Sequence, residues 1–250
     1  MAEFDHFKHF SSISSTNRYG IELIAKSNPP AFTVISADFQ TEGVGQIGSE
    51  WVSIPGANLL MSIILYPDFI NAKEPFKLHF ITSLACTELL RQFIKDERIQ
   101  IKWPNDILVD RKKIAGLLIK NTFSGNHVKN SVVGIGMNVN QDDFDKYLFN
   151  ATSLKMVSDK EYNISDLRID LYGHLKRFYN LAENGKSLKE IYLTYLFGYD
   201  EDFSFFDLVD QEYKRGIIVD VLCTGELVVE VEGVERKYDF KQIKFLLNEE

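Results

Sequence analysis

Four short blocks hold residue types that chemistry needs. The first is a glycine loop, Thr41-Glu42-Gly43-Val44-Gly45-Gln46-Ile47-Gly48-Ser49-Glu50-Trp51. A dinucleotide-binding loop of this pattern opens a helix directly and carries an acidic residue about 20 positions on. Here the loop runs into Trp51 and then Pro55-Gly56, which is no helix start, so that reading is disfavoured. The bland alternative is a tight surface loop with glycines at positive φ. The second block is Lys102-Trp103-Pro104-Asn105-Asp106. Strand alternation sets Lys102 opposite to Ile101 and Trp103, either on a solvated face or as a fixed cation for an anionic substrate. Asn105 and Asp106 offer a polar bracket, and Asp106 reads equally as a turn former. The third block, Lys112-Lys113-Ile114-Ala115-Gly116-Leu117-Leu118, has small residues that admit a ligand to the backbone or mark a β-bulge. The fourth, Val133-Gly134-Ile135-Gly136-Met137-Asn138, packs glycines inside a strand and so implies a close approach to its backbone. It ends in an amide with both a donor and an acceptor.

The elements that must position these blocks follow from periodicity. Ser15-Thr16-Asn17 precedes YGIELIAK, a short helix with Ser15 or Thr16 near its N-cap. Strands are expected at 32–40, 57–66, 112–123 and 130–140, with another over 99–110 broken at Pro104. The apolar spacing of 78–94 predicts a largely buried helix, and 162–198 is helical. Near residue 200 the texture becomes an alternating apolar–polar meander of short strands, with turns at Thr224-Gly225 and Glu232-Gly233. It is too small for a generous core alone and should pack on the larger part. The expected division is residues 1–198 and 199–250.

Composition excludes several classes. The 250 residues are 45% apolar and 26% charged, with a formal net charge of −8. General affinity for nucleic acid or an anionic membrane is not expected, since both need a basic surface. The two cysteines, Cys86 and Cys223, have no CxxC spacing and imply neither a zinc site nor a disulfide framework. Cys86 reads as a small buried hydrophobe. The first residues lack a signal-peptide pattern, and no apolar run approaches the roughly 18 residues of a membrane span. A reducing, cytoplasmic setting is expected.

The order and spacing of the blocks decide more than any one of them. Ser-Thr-Asn, a strand ending in Gln40, GxGxxGxxW, the Pro55–Leu59 segment, KWPND, KxAGxL and GIGxN follow one another as in biotin–protein ligases. The chain resembles that family from about Ser14 to the meander, and KWPND followed by DRKKIAGLL is highly specific to it. The resemblance implies an α/β fold: a mixed-sheet catalytic domain with a small C-terminal SH3-like β-barrel. It implies biotin and ATP as substrates, magnesium on the phosphates, and a lysine of a carboxylase's biotin carrier domain as acceptor. Carried over, the biotin-binding residues are Ser15, Thr16, Asn17, Gln40, Gly45, Gln46, Lys102 and Gly116. The nucleotide side takes Gly43, Val44, Trp51, Lys113 and Asn138. Lys102 is the catalytic cation, and no protein metal ligands are implied. Trp51 and Trp103 wall the pocket or serve as core aromatics.

The loop departs from the family's usual GRGRRG or GRGQxG. Val44 replaces an arginine, Ile47 replaces an often basic residue, and Glu42 and Glu50 flank the loop. Each lost charge-assisted contact is worth roughly 1.5–3 kcal/mol. Either Arg111, Lys112 and Lys113 compensate, or the adenylate is poorly retained. Lys120 stands where the family often has glutamate. A lipoate or octanoyl ligase and a weakened biotin-binding homologue are the alternatives. Only about a dozen residues precede Ser14, too few for a helix-turn-helix repressor module. Family members often dimerise, but no residue pattern here fixes oligomeric state.

Overall fold

A computed structural model describes residues 6–46, 49–144 and 150–247. Ile47 and Gly48 of the glycine loop lie outside the described residues. A seven-stranded sheet has the order β1-β2-β3-β7-β6-β5-β4. Its strands are β1 (His6–Phe10), β2 (Thr33–Ala37), β3 (Asn58–Leu65), β4 (Ile99–Lys102), β5 (Asp106–Val109), β6 (Lys112–Ser124) and β7 (His127–Asn138). All neighbours are antiparallel except β1 and β2. The sequence reading missed β1, whose HFKHF segment is mostly exposed at a sheet edge and carries no apolar alternation.

The helices are α1 (Thr16–Ser27), α2 (Lys77–Leu90), α3 (Leu154–Ser158), α4 (Ile164–Glu183) and α5 (Lys189–Thr194). Helix α2 is apolar around nearly its whole circumference, as a helix buried on several sides must be. It packs with α4 against one sheet face, where Val34, Met61, Ile63, Val133, Ile135 and Met137 join the main core. Cys86 lies at the centre of α2, and burial pushes its thiol up to about 12. Helix α1 covers part of the other face through Ile35, Ile64 and Val132. Ser15 caps α1 by accepting from the Arg18 N–H. The rest of that second face is left open for the site.

A five-stranded antiparallel sheet follows, in the order β11-β10-β9-β8-β12. It comprises β8 (Asp202–Asp207), β9 (Glu212–Val221), β10 (Leu227–Val231), β11 (Val234–Tyr238) and β12 (Ile243–Phe245). Its apolar side chains Phe203, Phe205, Ile218 and Val229 belong to the same core cluster as the large sheet. Residues 195–197 run beside β4: the Ile101 N–H donates to the Tyr195 carbonyl at 2.7 Å, and the Phe197 N–H donates to Ile101 at 2.8 Å. The Ile218 N–H then donates to the Gly198 carbonyl at 3.1 Å, so the connecting segment is hydrogen-bonded to both sheets. Within the small sheet, Asp207 is buried and accepts from Lys214 at 2.9 Å and from the Tyr238 hydroxyl at 2.8 Å. Burial alone would raise its pKa, but these hydrogen bonds, together with those from the Asp210 and Val209 N–H groups, outweigh burial and hold it down at about 2. Among the described residues, no helix is long and apolar enough to cross a membrane.

Candidate active site

Strand pairing brings three of the four sequence blocks into one row. Ala37 pairs with Leu60, Leu60 with Gly136, Gly136 with Gly116, Gly116 with Asp106, and Asp106 with Lys102. Directly paired residues share a face, so this row crosses the open side of the large sheet. Lys102 therefore projects onto the site face while Ile101 and Trp103 are buried. A cavity of 790 Å³ lies over the row, between the glycine loop, the start of α1 and the small sheet. Ser15, Thr16, Asn17, Gln40, Val44, Gly45, Gln46, Trp51, Lys102, Lys113 and Gly116 all line it.

One end of the cavity is polar, buried and hydrogen-bonded. The start of α1 delivers Ser15, Thr16 and Asn17, which are 1%, 3% and 6% exposed. The Thr16 N–H donates to Gln40 Oε1 at 2.8 Å and its hydroxyl lies 3.1 Å from the same oxygen. Thr16 Oγ1 also meets Ser62 Oγ at 2.9 Å. Asn17 Nδ2 donates to the Leu118 carbonyl at 3.1 Å and the Val132 carbonyl at 3.3 Å. Gly134 is what admits that amide, because a Cβ there would stand 2.8 Å from Asn17 Nδ2. The spent groups are the Gln40 carbonyl and the Asn17 NH2. That leaves a donor on Gln40 and an acceptor on Asn17, two residues that line the cavity.

The middle is covered by Trp51. A Cβ on Gly136 would come within 2.5 Å of Trp51 Cε2, and one on Gly116 within 2.9 Å of Trp51 Cζ3. The close approach that the strand glycines imply is therefore made by the chain's own indole and by Asn17. The indole N–H is buried with no acceptor among the described residues. Trp103 is a core aromatic at the cavity's edge; its Nε1 donates to the Gly225 carbonyl of the small sheet at 3.0 Å.

The other end is charged. Lys113 Nζ lies 2.7 Å from Asp106 Oδ1, and Lys102 Nζ lies 3.4 Å from Asp106 Oδ2. A β-bulge makes this possible. Pairing runs Ile107 to Ala115 but Leu108 to Lys113, so Ile114 is the extra residue. Ile114 and Ala115 both enter the core, and the shift in parity returns Lys113 to the site face. Lys113 Nζ also sits 5.6 Å from the Trp51 ring centroid. The small sheet supplies the facing wall through Leu208, Lys241, Ile243, Lys244, Phe245 and Leu247. Phe245 lies 5.8 Å from Lys102 Nζ.

The cation inventory differs from the sequence expectation. Arg111 turns to the Leu247 carbonyl at 3.4 Å and Lys112 does not line the cavity, so Lys113 alone of the three reaches it. Glu42 is drawn away by Arg18. The loop and large sheet contribute Lys102, Lys113, Glu50 and Asp106, whose formal charges cancel, and Lys241 and Lys244 carry the surplus. Nothing in the local pattern of DFKQIKF marks those two lysines as site residues. Gly43 lies behind the cavity, its carbonyl accepting from the Trp51 N–H at 2.9 Å. Asn138 is also set apart: its Nδ2 donates to the Thr152 carbonyl at 2.9 Å, so the donor expected to read a heterocycle is occupied.

The sequence profile of the Biotin/lipoate A/B protein ligase family matches residues 9–138. The chain belongs to this family. It is 32% identical over 245 residues to the bifunctional ligase/repressor BirA of Bacillus spizizenii, covering 93% of this chain and 72% of that one. The biotin–[acetyl-CoA-carboxylase] ligase of Paracoccus denitrificans is 33% identical over 126 residues, covering 50% of this chain and 51% of its own. Among solved structures, the biotin protein ligase of Aquifex aeolicus in complex with biotin and ATP superposes with a TM-score of 0.76. It is 23% identical, with 96% of this chain and 98% of that one covered, so it shares the fold. The mixed-sheet architecture with a C-terminal antiparallel sheet is thus the family's own.

Proposed function

We propose that this protein is an ATP-dependent biotin–protein ligase that adenylates biotin and passes it to a lysine of a carboxylase's biotin carrier domain. The observation that carries this reading is the row Gly136–Gly116–Asp106–Lys102, which joins a buried neutral pocket to a cluster of cations. A bicyclic urea needs fixed donors and acceptors in a dry pocket, and the Ser15–Asn17 and Gln40 end supplies them. The valeryl chain runs past Trp51 toward Lys102. There the biotin carboxylate oxygen attacks the α-phosphorus of ATP, a P–O bond forms, and pyrophosphate leaves with the electrons of the bond that breaks. Both reactants are anions, so Lys102 and Lys113 offset the charge that accumulates as they meet. The acceptor amine, once deprotonated, then attacks the acyl carbon; the C–N bond forms and AMP departs.

Magnesium fits as a metal carried by the triphosphate rather than by a protein cage. The described residues hold no cluster of three or more metal-ligating side chains. Asp106 is engaged by lysines, and Glu50 is the other carboxylate of the cavity lining that would face the ion. The ion would neutralise phosphate charge.

The test is transfer of labelled biotin to a purified biotin carrier domain, with and without ATP and with lipoate and octanoate in parallel. ATP-dependent labelling by biotin alone is the expected result. Labelling by lipoate or octanoate instead assigns the other branch of the family. Binding of biotin with no transfer and no pyrophosphate exchange assigns a non-catalytic homologue.

A further inference from the structure

Asp106 is the one acidic side chain of the row, and it stands among cations where two anionic reactants would meet. We propose that Asp106 is a positioning residue that holds Lys102 and Lys113 as a converged pair at the point where carboxylate and α-phosphate meet. The proposal rests on the ligase reading above and deepens it.

Two ammonium groups brought to one spot repel each other, and flexible four-carbon stems let them splay. The carboxylate between them removes that repulsion. Its own position is set by backbone. Lys102 and Asp106 are paired across the turn, and Asn105 locks the turn to β6, donating from Nδ2 to the Leu117 carbonyl at 3.0 Å and accepting the Leu117 N–H on its own carbonyl at 2.8 Å. A residue present only to form the turn would spend its side chain on nearby backbone N–H groups. The Asp106 carboxylate instead meets the two lysines, and its side chain is 16% exposed, where solvent screens the pair only partly. The contacts differ in kind: Lys102 donates a hydrogen bond to Oδ2 at 3.4 Å, whereas Lys113 Nζ stands 2.7 Å from Oδ1 as an ion pair without hydrogen-bond geometry. Asp106 thereby keeps both ammonium groups at the point where the reacting oxygens would meet. The β-bulge at Ile114 belongs to the same device, since without it Lys113 would face the core.

The experiment compares wild type, D106N, D106E, K113M, K113R and D106N/K113M in biotin-dependent pyrophosphate exchange, with biotin affinity measured separately. D106N is expected to lower kcat on the order of 30-fold, with KM for ATP and biotin affinity within about threefold, because the cations remain but no longer converge. D106E, which keeps the charge, recovers to within about fivefold of wild type. In the K113M background D106N costs less than about threefold further, since residues acting as a unit are not additive. Unchanged exchange in D106N overturns the proposal, as do losses that simply multiply in the double variant or that fall on KM alone. Should D106N fail to fold, K113R against K113M decides. Arginine keeps the pair to Asp106 and retains activity; equal losses in the two overturn the proposal. A wild-type protein without exchange overturns the ligase reading and this inference together, whereas an active wild type with an unaffected D106N overturns the inference alone.

Discussion

The two ends of the cavity are held by different physics. At the α1 end, Ser15, Thr16 and Asn17 are almost fully buried; Ser15 is hydrogen-bonded to the Arg18 N–H of α1, and Thr16 and Asn17 to the sheet and to Gln40. Burying such groups without partners is costly, so this end is rigid and its free donors and acceptors are few and fixed. At the Lys102 end the groups are charged and partly exposed, and they come from two sheets. One end selects a ligand by shape and hydrogen bonding. The other stabilises charge that appears during reaction, and tolerates rearrangement while doing so.

If that contrast is right, substitutions at the two ends fail in different ways. The largest effect falls on chemistry. Lys102→Ala is expected to reduce biotin-dependent pyrophosphate exchange by about 10²–10³-fold or more, because it removes the central cation of the transition state. A loss confined to KM would erase the distinction between the ends. Next, Asn17→Ala should weaken biotin binding by roughly 10–100-fold, since it strips an acceptor from the pocket and leaves the Leu118 and Val132 carbonyls without their donor. Calorimetric titration with biotin alone reads this, and an unchanged affinity would place the urea elsewhere. Its thermal stability should fall as well, which Lys102→Ala should not produce.

The third expectation concerns the facing wall. Lys241→Gln with Lys244→Gln is expected to raise KM for ATP about tenfold at low salt, with the difference shrinking as ionic strength rises. Biotin affinity should stay put. An equal shift in both ligands would mean that the small sheet acts on the whole cavity rather than on its charged end. The smallest effect is expected at the loop. Val44 is 41% exposed and lines the cavity where the family usually carries arginine. Val44→Arg should slow release of biotinyl-AMP by about tenfold in a mixture of enzyme, biotin and ATP without acceptor. Tight stoichiometric retention by the unaltered protein would show that Lys241 and Lys244 replace the missing loop charge in full.

Much of the arrangement can be read from local pattern. Alternation alone sets Lys102 on the face opposite Ile101, and Ser15 next to an apolar helix is recognisable as its cap. The glycines at 116, 134 and 136 declare that something comes close to the sheet. The order of the blocks identifies the family without coordinates. Edge strand β1 was not legible, because an exposed edge needs no apolar alternation.

What only the tertiary structure decides is who meets whom. The glycines face Trp51 and Asn17, residues whose separation in sequence leaves no periodic trace. Asp106, open between turn former and functional group in the sequence, stands between two lysines because a bulge in β6 turns Lys113 toward it. Arg111 and Lys112, equally basic and adjacent to Lys113, miss the site. The Trp103 bond to Gly225 spans 122 positions and brings the small sheet, with Lys241 and Lys244, to the cavity. A sequence records the face on which a side chain projects, since that follows from strand and helix geometry. It does not record the partner across the gap, because packing of distant segments sets that choice through burial of a shared core.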